Sequence, residues 1–259
     1  MKFYIFFLLL GLILAVALID VYAVDPDLVV YLPLDEDKGE EVVDASGNGH
    51  NAAIVGNFKW IDGKYGKAVE LVAAGAEVQV PDDKAIDGMK ALTVEVWVKQ
   101  DTHQATGIVQ KGANWPDISY LLQPWSDQQI YFGVKDTSSR AITKPGDYPL
   151  KEWYHLAGTY DGSTLKIYIN GKEKASAPAP VKAVPDTTQP LQVGNRLLGA
   201  IDEFVLYTRA LSADEIQDDM NGKLLPVTTK GKLATCWGRI KGLNIEDYYN
   251  LYFDLGKLK

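Results

Sequence analysis

The chain has 259 residues, 47% of them hydrophobic and 23% charged, with 23 Gly, 12 Pro and a single cysteine, Cys236. That balance is globular and excludes a disordered or collagen-like chain, and one cysteine excludes an intrachain disulfide. The formal charge of −8 argues against non-specific binding to nucleic acid or to an anionic membrane, and His50, His103 and His155 form no HExxH or His-rich cluster of the kind a zinc hydrolase carries.

Residues 1–23 read as an export signal. Lys2 is a minimal positive region, Phe3 to Ile19 is an apolar run of 17 residues, and Val21-Tyr22-Ala23 places small or apolar residues where signal peptidase cuts. Cleavage before Val24 leaves 259 − 23 = 236 residues, a normal size for one sandwich or barrel. An uncleaved signal anchor is the rival reading, since 17 apolar residues lie at the lower edge of a membrane span. Either way the rest of the chain is expected outside the cytoplasm: secreted, periplasmic or at the cell surface, with no membrane insertion once the signal is cut.

Beyond residue 24 the hydrophobic pattern is that of strands. In Leu92 to Lys99 the residues Leu92, Val94, Val96 and Val98 share one face, and Thr93, Glu95, Trp97 and Lys99 the other. Ile130 to Val134 is a shorter strand. Trp153 to Tyr160 and Leu165 to Asn170 are two more, joined by the turn Asp161-Gly162, and Asn170-Gly171 makes a second turn. Ala175 to Pro190 holds four prolines and reads as a loop or edge connection. Leu191 to Val193 is a strand, and Ile201 to Tyr207 alternates Ile201, Glu203, Val205 and Tyr207 against Asp202, Phe204 and Leu206. Ser212 and Glu215 form a capping box that predicts a helix from about Ala213 to Met220, ended by Asn221-Gly222. From Leu225 the pattern changes, and an aromatic tail with Trp237, Tyr248, Tyr249, Tyr252 and Phe253 has no evident place on the preceding strands. The expected class is all-β: an antiparallel two-sheet jelly-roll sandwich with one short C-terminal helix, over 24–222, followed by a tail over 223–259.

Eight pieces in order resemble the laminin-G-like jelly-roll family of the concanavalin A-like lectin/glucanase superfamily. They are Leu34-Asp35-Glu36, Asp44-Ala45-Ser46-Gly47-Asn48-Gly49-His50, Gly66-Lys67-Ala68-Val69, Leu92 to Val98, Lys111-Gly112, Trp153 to Gly162, Leu165 to Gly171, and Gly199 to Phe204 running into Ser212. The resemblance covers about 28 to 222 and implies a sandwich. That fold hosts lectins, glycan-binding modules, adhesion domains and glycosidases alike. Some subfamilies carry a cysteine pair near the end of the sandwich, which this chain cannot form.

Members of the family often hold a structural calcium, and the resemblance implies Asp44 and Asp202 as carboxylate ligands, with Asn48 and His50 giving mainly backbone oxygens and Asp35 or Glu36 a further carboxylate. Calcium needs about 6–8 oxygen ligands, which a polar loop with inward carbonyls can supply. Ser-Gly-Asn-Gly is equally what a sharp turn needs, and Asp202 could be a plain hydrogen-bond acceptor.

For the ligand, Trp115 in Asn114-Trp115-Pro116 and Trp125 in Pro124-Trp125-Ser126 lie in polar turns and are candidate stacking platforms for sugar rings, or lids on the core. Trp97 and Trp153 lie on strands and read as packing residues. Glycosidases of this fold commonly carry E-x-D-x-x-E, which sets two carboxylates about 5–5.5 Å apart in the retaining mechanism. That spacing is absent, and Trp97 stands where the second acid would follow Glu95. The reading is therefore an exported, non-catalytic module that binds a glycan or glycoprotein, with no nucleic acid. The alternative is a polysaccharide-degrading glycosidase or lyase using an unrecognised pair such as Glu95 and Glu203, and an adhesive domain with a protein partner is a third possibility.

Overall fold

The computed structural model describes residues 25–224 apart from 103–106, 114–116, 126–127 and 136–138. The first sheet contains β1 (Leu28–Leu32), β4 (Phe58–Asp62), β5 (Lys67–Leu71), β7 (Leu92–Gln100), β12 (Tyr154–Tyr160), β13 (Thr164–Ile169), β14 (Lys172–Pro178) and β16 (Gly199–Tyr207). The second contains β2 (Glu41–Val42), β3 (Ala52–Val55), β6 (Glu77–Val80), β8 (Gly107–Gly112), β9 (Ile118–Pro124), β10 (Ile130–Val134), β11 (Arg140–Ile142) and β15 (Leu191–Asn195). Their orders are β14-β13-β12-β7-β16-β5-β4, with β1 also on β16, and β11-β10-β9-β8-β15-β6-β3-β2. The pairings are antiparallel, and one α-helix among the described residues, α1 (Ala213–Met220), follows. The expected two-sheet sandwich with one short helix is the observed architecture.

Period-2 alternation builds the core. Val94, Val96 and Val98 of β7 and Leu156 of β12 face Val109, Leu122 and Phe132 of the other sheet, and all are buried. Burying one such side chain contributes about 1.5–3 kcal/mol. At Gly158 on β12 a Cβ would fall 2.4 Å from the Phe132 ring, so only glycine lets that ring seat against the facing strand. The turns follow the sequence: Asn170 and Gly171 both take positive φ, as a two-residue hairpin requires. Ser212 caps α1 by accepting from the Glu215 N–H while the Glu215 carboxylate accepts from the Ser212 N–H.

Two expectations need correction. Part of 175–190 is strand: β14 runs to Pro178 at the edge of the first sheet, where a missing N–H breaks no interior ladder. On β16 the simple alternation fails. A bulge between Asp202 and Val205, with Glu203 at φ 51°, shifts the core face from Ile201 to Phe204 and Leu206.

A buried cation closes one end of the second sheet. The Lys111 side chain on β8 is fully enclosed. Its Nζ donates to the Asp82 carboxylate, to the carbonyls of Gln189 (2.6 Å) and Thr187 (3.0 Å), and lies 3.4 Å from Asp87 Oδ1. Paired and hydrogen-bonded, the charge is tolerated where an isolated one would not be.

Candidate ligand-binding face

The outer face of the second sheet carries a layered stack. Trp125, just after β9, is 40% exposed, and its indole lies nearly parallel to the Tyr131 ring of β10, centroids 5.7 Å apart at 21°. The Arg140 guanidinium of β11 sits 4.8 Å from the same Tyr131 ring. The turn behind Trp125 is closed by its own N–H donating to the Gln129 carbonyl at 3.0 Å. The Gln129 Nε2 donates to the Thr143 carbonyl at 2.6 Å, which fixes the margin of the stack.

Beside the stack runs a row of amides. Gln192 on β15 stands in register with Gln79 on β6 and with Gln110 on β8, so three glutamines lie side by side across three adjacent strands. Strand spacing puts neighbours about 4.8 Å apart. All three are half-buried. Beneath them the buried Glu77 carboxylate accepts from Gln79 Nε2 (2.6 Å), Gln192 Nε2 (2.7 Å) and Asn195 Nδ2 (2.8 Å). Gln110 Nε2 donates to the carbonyls of Ala113 (2.5 Å) and Gly112 (3.1 Å). Sequence reasoning missed this row, together with Tyr131 and Arg140. The available signal was one glutamine set between core residues in each of Val78-Gln79-Val80, Val109-Gln110-Lys111 and Leu191-Gln192-Val193.

The sequence-nominated metal residues lie elsewhere. Asp44 Oδ1 accepts from the N–H groups of Tyr31 (3.0 Å) and Ser46 (2.9 Å), and Oδ2 accepts from Ser46 Oγ (2.8 Å) and the His50 N–H (2.9 Å). Four donors fill the lone pairs of one carboxylate. Asn48 Nδ2 donates to the carbonyls of Leu28 (2.7 Å) and Val29 (3.0 Å), and His50 Nδ1 lies 3.1 Å from the Val29 carbonyl. Asp202, on the bulged β16, accepts the Tyr65 N–H at 2.9 Å. Asp35 accepts from the Lys67 N–H and Glu36 from the Val43 N–H, both at 2.9 Å. Among the described residues no three His, Cys, Asp or Glu side chains gather as metal ligands. The donor set at Asp44 does not fit calcium, because its oxygens already tie the loop to β1, whereas Asp202 Oδ1 is buried with no hydrogen-bond partner among the described residues. With Asp44 engaged in this way, EDTA is expected to leave the melting temperature unchanged, and a rise in Tm on adding micromolar calcium would overturn that.

Glu95 and Glu203 lie on the outer side of the first sheet. Glu95 is fully buried, 3.1 Å from His155 Nε2 through its Oε2. Burial raises the Glu95 pKa well above the ordinary value and lowers that of His155 to about 3, so both favour neutral forms. Asp219 of α1 accepts the Tyr207 hydroxyl at 2.8 Å. Burial, then the nearby Glu95 carboxyl, lifts its pKa to about 7. Glu203 accepts from the Tyr31 hydroxyl at 2.5 Å. The pocket lined by Tyr65, Trp97, His155, Glu203 and Asp219 has a volume of about 10 Å³, room for about one water and too small for a sugar ring.

Trp97 is buried, its ring edge-to-face with His155 at 5.3 Å and with Tyr65 at 6.2 Å, a packing residue as expected. Trp115, the signal segment and Cys236 lie outside the described residues.

A family profile described as Laminin_G_3, concanavalin A-like lectin/glucanases superfamily, matches residues 73–217, more than half of the chain. Pappalysin-1 from Mus musculus is 27% identical over 177 residues, covering 58% of this chain and 10% of the relative. Pappalysin-1 from Homo sapiens is 26% identical with the same coverage, so the chain spans about a tenth of the length of the curated relatives it matches. Among solved structures, the binding domain of Paraclostridial Mosquitocidal Protein 1 superposes with TM-score 0.64 at 19% identity, over 78% of this chain and 53% of that one. Domain 4 of AbnA, a GH43 extracellular arabinanase from Geobacillus stearothermophilus in complex with arabinotriose, gives TM-score 0.58 at 23% identity, over 74% and 97%. The botulinum neurotoxin serotype G binding domain gives 0.62 at 14%, over 76% and 51%. At these identities the likeness is one of fold.

Proposed function

This chain belongs to the Laminin_G_3 family of the concanavalin A-like lectin/glucanase superfamily, and on that premise we propose that it is an exported, non-catalytic module that binds carbohydrate or glycosylated surface partners. The observation that carries the reading is the exposed Trp125 indole, stacked on Tyr131 of the same sheet that carries the Gln110-Gln192-Gln79 row. An aromatic face offers apolar contact to the C–H side of a sugar ring, while neighbouring amides hydrogen-bond its hydroxyls. The stack holds Trp125 in place, which lowers the entropy lost on binding. Similar folds add support: one was solved with arabinotriose, and others are binding domains of toxins, including one whose cell entry depends on two ganglioside molecules. Export is supported by the apolar run from Phe3 to Ile19 followed by Val21-Tyr22-Ala23.

A glycan array tests the reading. The wild type is expected to bind at least one carbohydrate, and Trp125→Ala to lose about tenfold or more in affinity with an unchanged melting temperature. Affinity unmoved in both Trp125→Ala and Trp115→Ala would remove the proposed platform.

A further inference from the structure

We infer that the face beside Trp125 takes neutral, hydroxyl-rich glycans and discriminates against sulfated, sialylated or uronic acid chains, an inference that rests on the binding-module reading above. The reason lies in the way Glu77 orients its neighbours. A carboxylate accepts hydrogen bonds, so the amides of Gln79, Gln192 and Asn195 turn their NH2 groups toward it. Gln110 spends its NH2 group on two backbone carbonyls. Each amide then keeps its oxygen for a ligand, while Gln79, Gln192 and Asn195 keep one N–H each and Gln110 none. The result is a patch held by Glu77 in which four amide oxygens outnumber three remaining N–H groups, and what such a patch takes best from a ligand is donors.

Sugar hydroxyls donate; sulfate and carboxylate groups on a glycan only accept. An anionic chain laid on this patch would set most of its oxygens against amide oxygens and against the Glu77 charge, losing more hydrogen bonds to water than the three remaining N–H groups return. The cation of the platform, Arg140, stands three strands away from Gln110, on the terminal strand β11, stacked on Tyr131. The net charge of −8 adds repulsion of the same sign. The row Gln110-Gln192-Gln79 crosses the strands, so a linear chain leaving the Trp125 platform could follow it from strand to strand.

The test is a binding titration of the full chain against neutral polysaccharides (debranched arabinan, xyloglucan, galactomannan) and anionic ones (polygalacturonate, alginate, heparan sulfate) at about 0.15 M salt. At least one neutral polymer is expected to bind, and the anionic ones to bind about tenfold more weakly or not at all. Anionic polymers bound as tightly as neutral ones, with affinity falling as salt rises, would overturn the inference and leave the binding-module reading standing. No polymer of either kind bound would sink both. Glu77→Gln removes the carboxylate that orients the amides and is expected to weaken neutral binding about tenfold. Gln192→Ala and Gln79→Ala, truncations at half-buried positions that keep Glu77, are expected to weaken it about fivefold each. Neutral binding unchanged in both truncations, with melting temperatures preserved, would also overturn it.

Discussion

Asp44→Ala is expected to destabilise the fold by about 3–5 kcal/mol, because it strands a set of buried donors at once. The side chain is completely enclosed. It takes hydrogen bonds from the Tyr31 and Ser46 N–H groups, from the Ser46 hydroxyl and from the His50 N–H, all at 2.8–3.0 Å. Leaving one buried donor without a partner costs about 1–3 kcal/mol, and entering water would recover part of that. Tyr31 sits on β1, which is held to β16 across the sheet, so loosening the loop also loosens a strand whose five residues are all buried. Asp44→Asn should fall between wild type and alanine. Its carbonyl keeps the two donors at one oxygen, while its NH2 group faces the His50 N–H, donor against donor. Urea unfolding measures this. A loss below about 1 kcal/mol in Asp44→Ala, with m unchanged, would show that the loop does not depend on this carboxylate.

The second large effect is a decline in stability toward alkaline pH that Asp202→Asn should reduce, the buried Glu95 acting in the same direction in both proteins. Burial, and next the Glu203 charge, push the Asp202 carboxyl from 3.8 up to about 9. The folded protein therefore keeps a proton that the unfolded chain releases. The stabilisation from that difference is complete below the unfolded value near 4 and is lost as pH rises toward 9, at up to about 1.4 kcal/mol per pH unit. Asp219, raised from 3.8 to about 7, acts in the same direction and is exhausted by about pH 7. His155 opposes both in acid: its pKa lies near 3 against 6.5 in the unfolded chain, so stability falls as pH drops below 6.5. Above pH 6.5 the acids act alone, and Tm should fall from there to pH 9. An asparagine at 202 can still accept the Tyr65 N–H and has no proton to lose. At pH 9 the variant is expected to be more stable than wild type by about 2 kcal/mol or more. A variant whose Tm follows the wild-type profile in parallel from pH 6.5 to 9 would refute this.

The sandwich was legible because it is written in local rules. Alternation marked β7, β12 and β13, two glycine turns marked their connections, and Ser212 with Glu215 marked α1 at the observed bounds. What stayed hidden depends on contacts between distant residues. The reversal of faces on β16 comes from one left-handed residue, Glu203, and nothing in Ile-Asp-Glu-Phe-Val signals a bulge in that place. The polar loop from Asp44 to His50 was recognisable as a tight turn, yet whether its oxygens accept N–H groups or surround an ion depends on β1 arriving beside it. Trp125 stood out as a candidate from its polar turn. Its supporting ring, Tyr131, did not, because register between hairpin strands decides which side chains stack. The glutamine row was invisible for the same reason: each strand supplies one amide, and only the strand order places them together.

Lys111 gives the module a tethered counter-ion. Its ammonium occupies a nest of two carboxylates and two peptide oxygens, the kind of donor set that elsewhere recruits a dissolved metal. A covalently attached charge cannot be diluted away, stripped by chelators or replaced by a competing ion. The charge at this one site therefore does not depend on the mineral content of whatever fluid surrounds it.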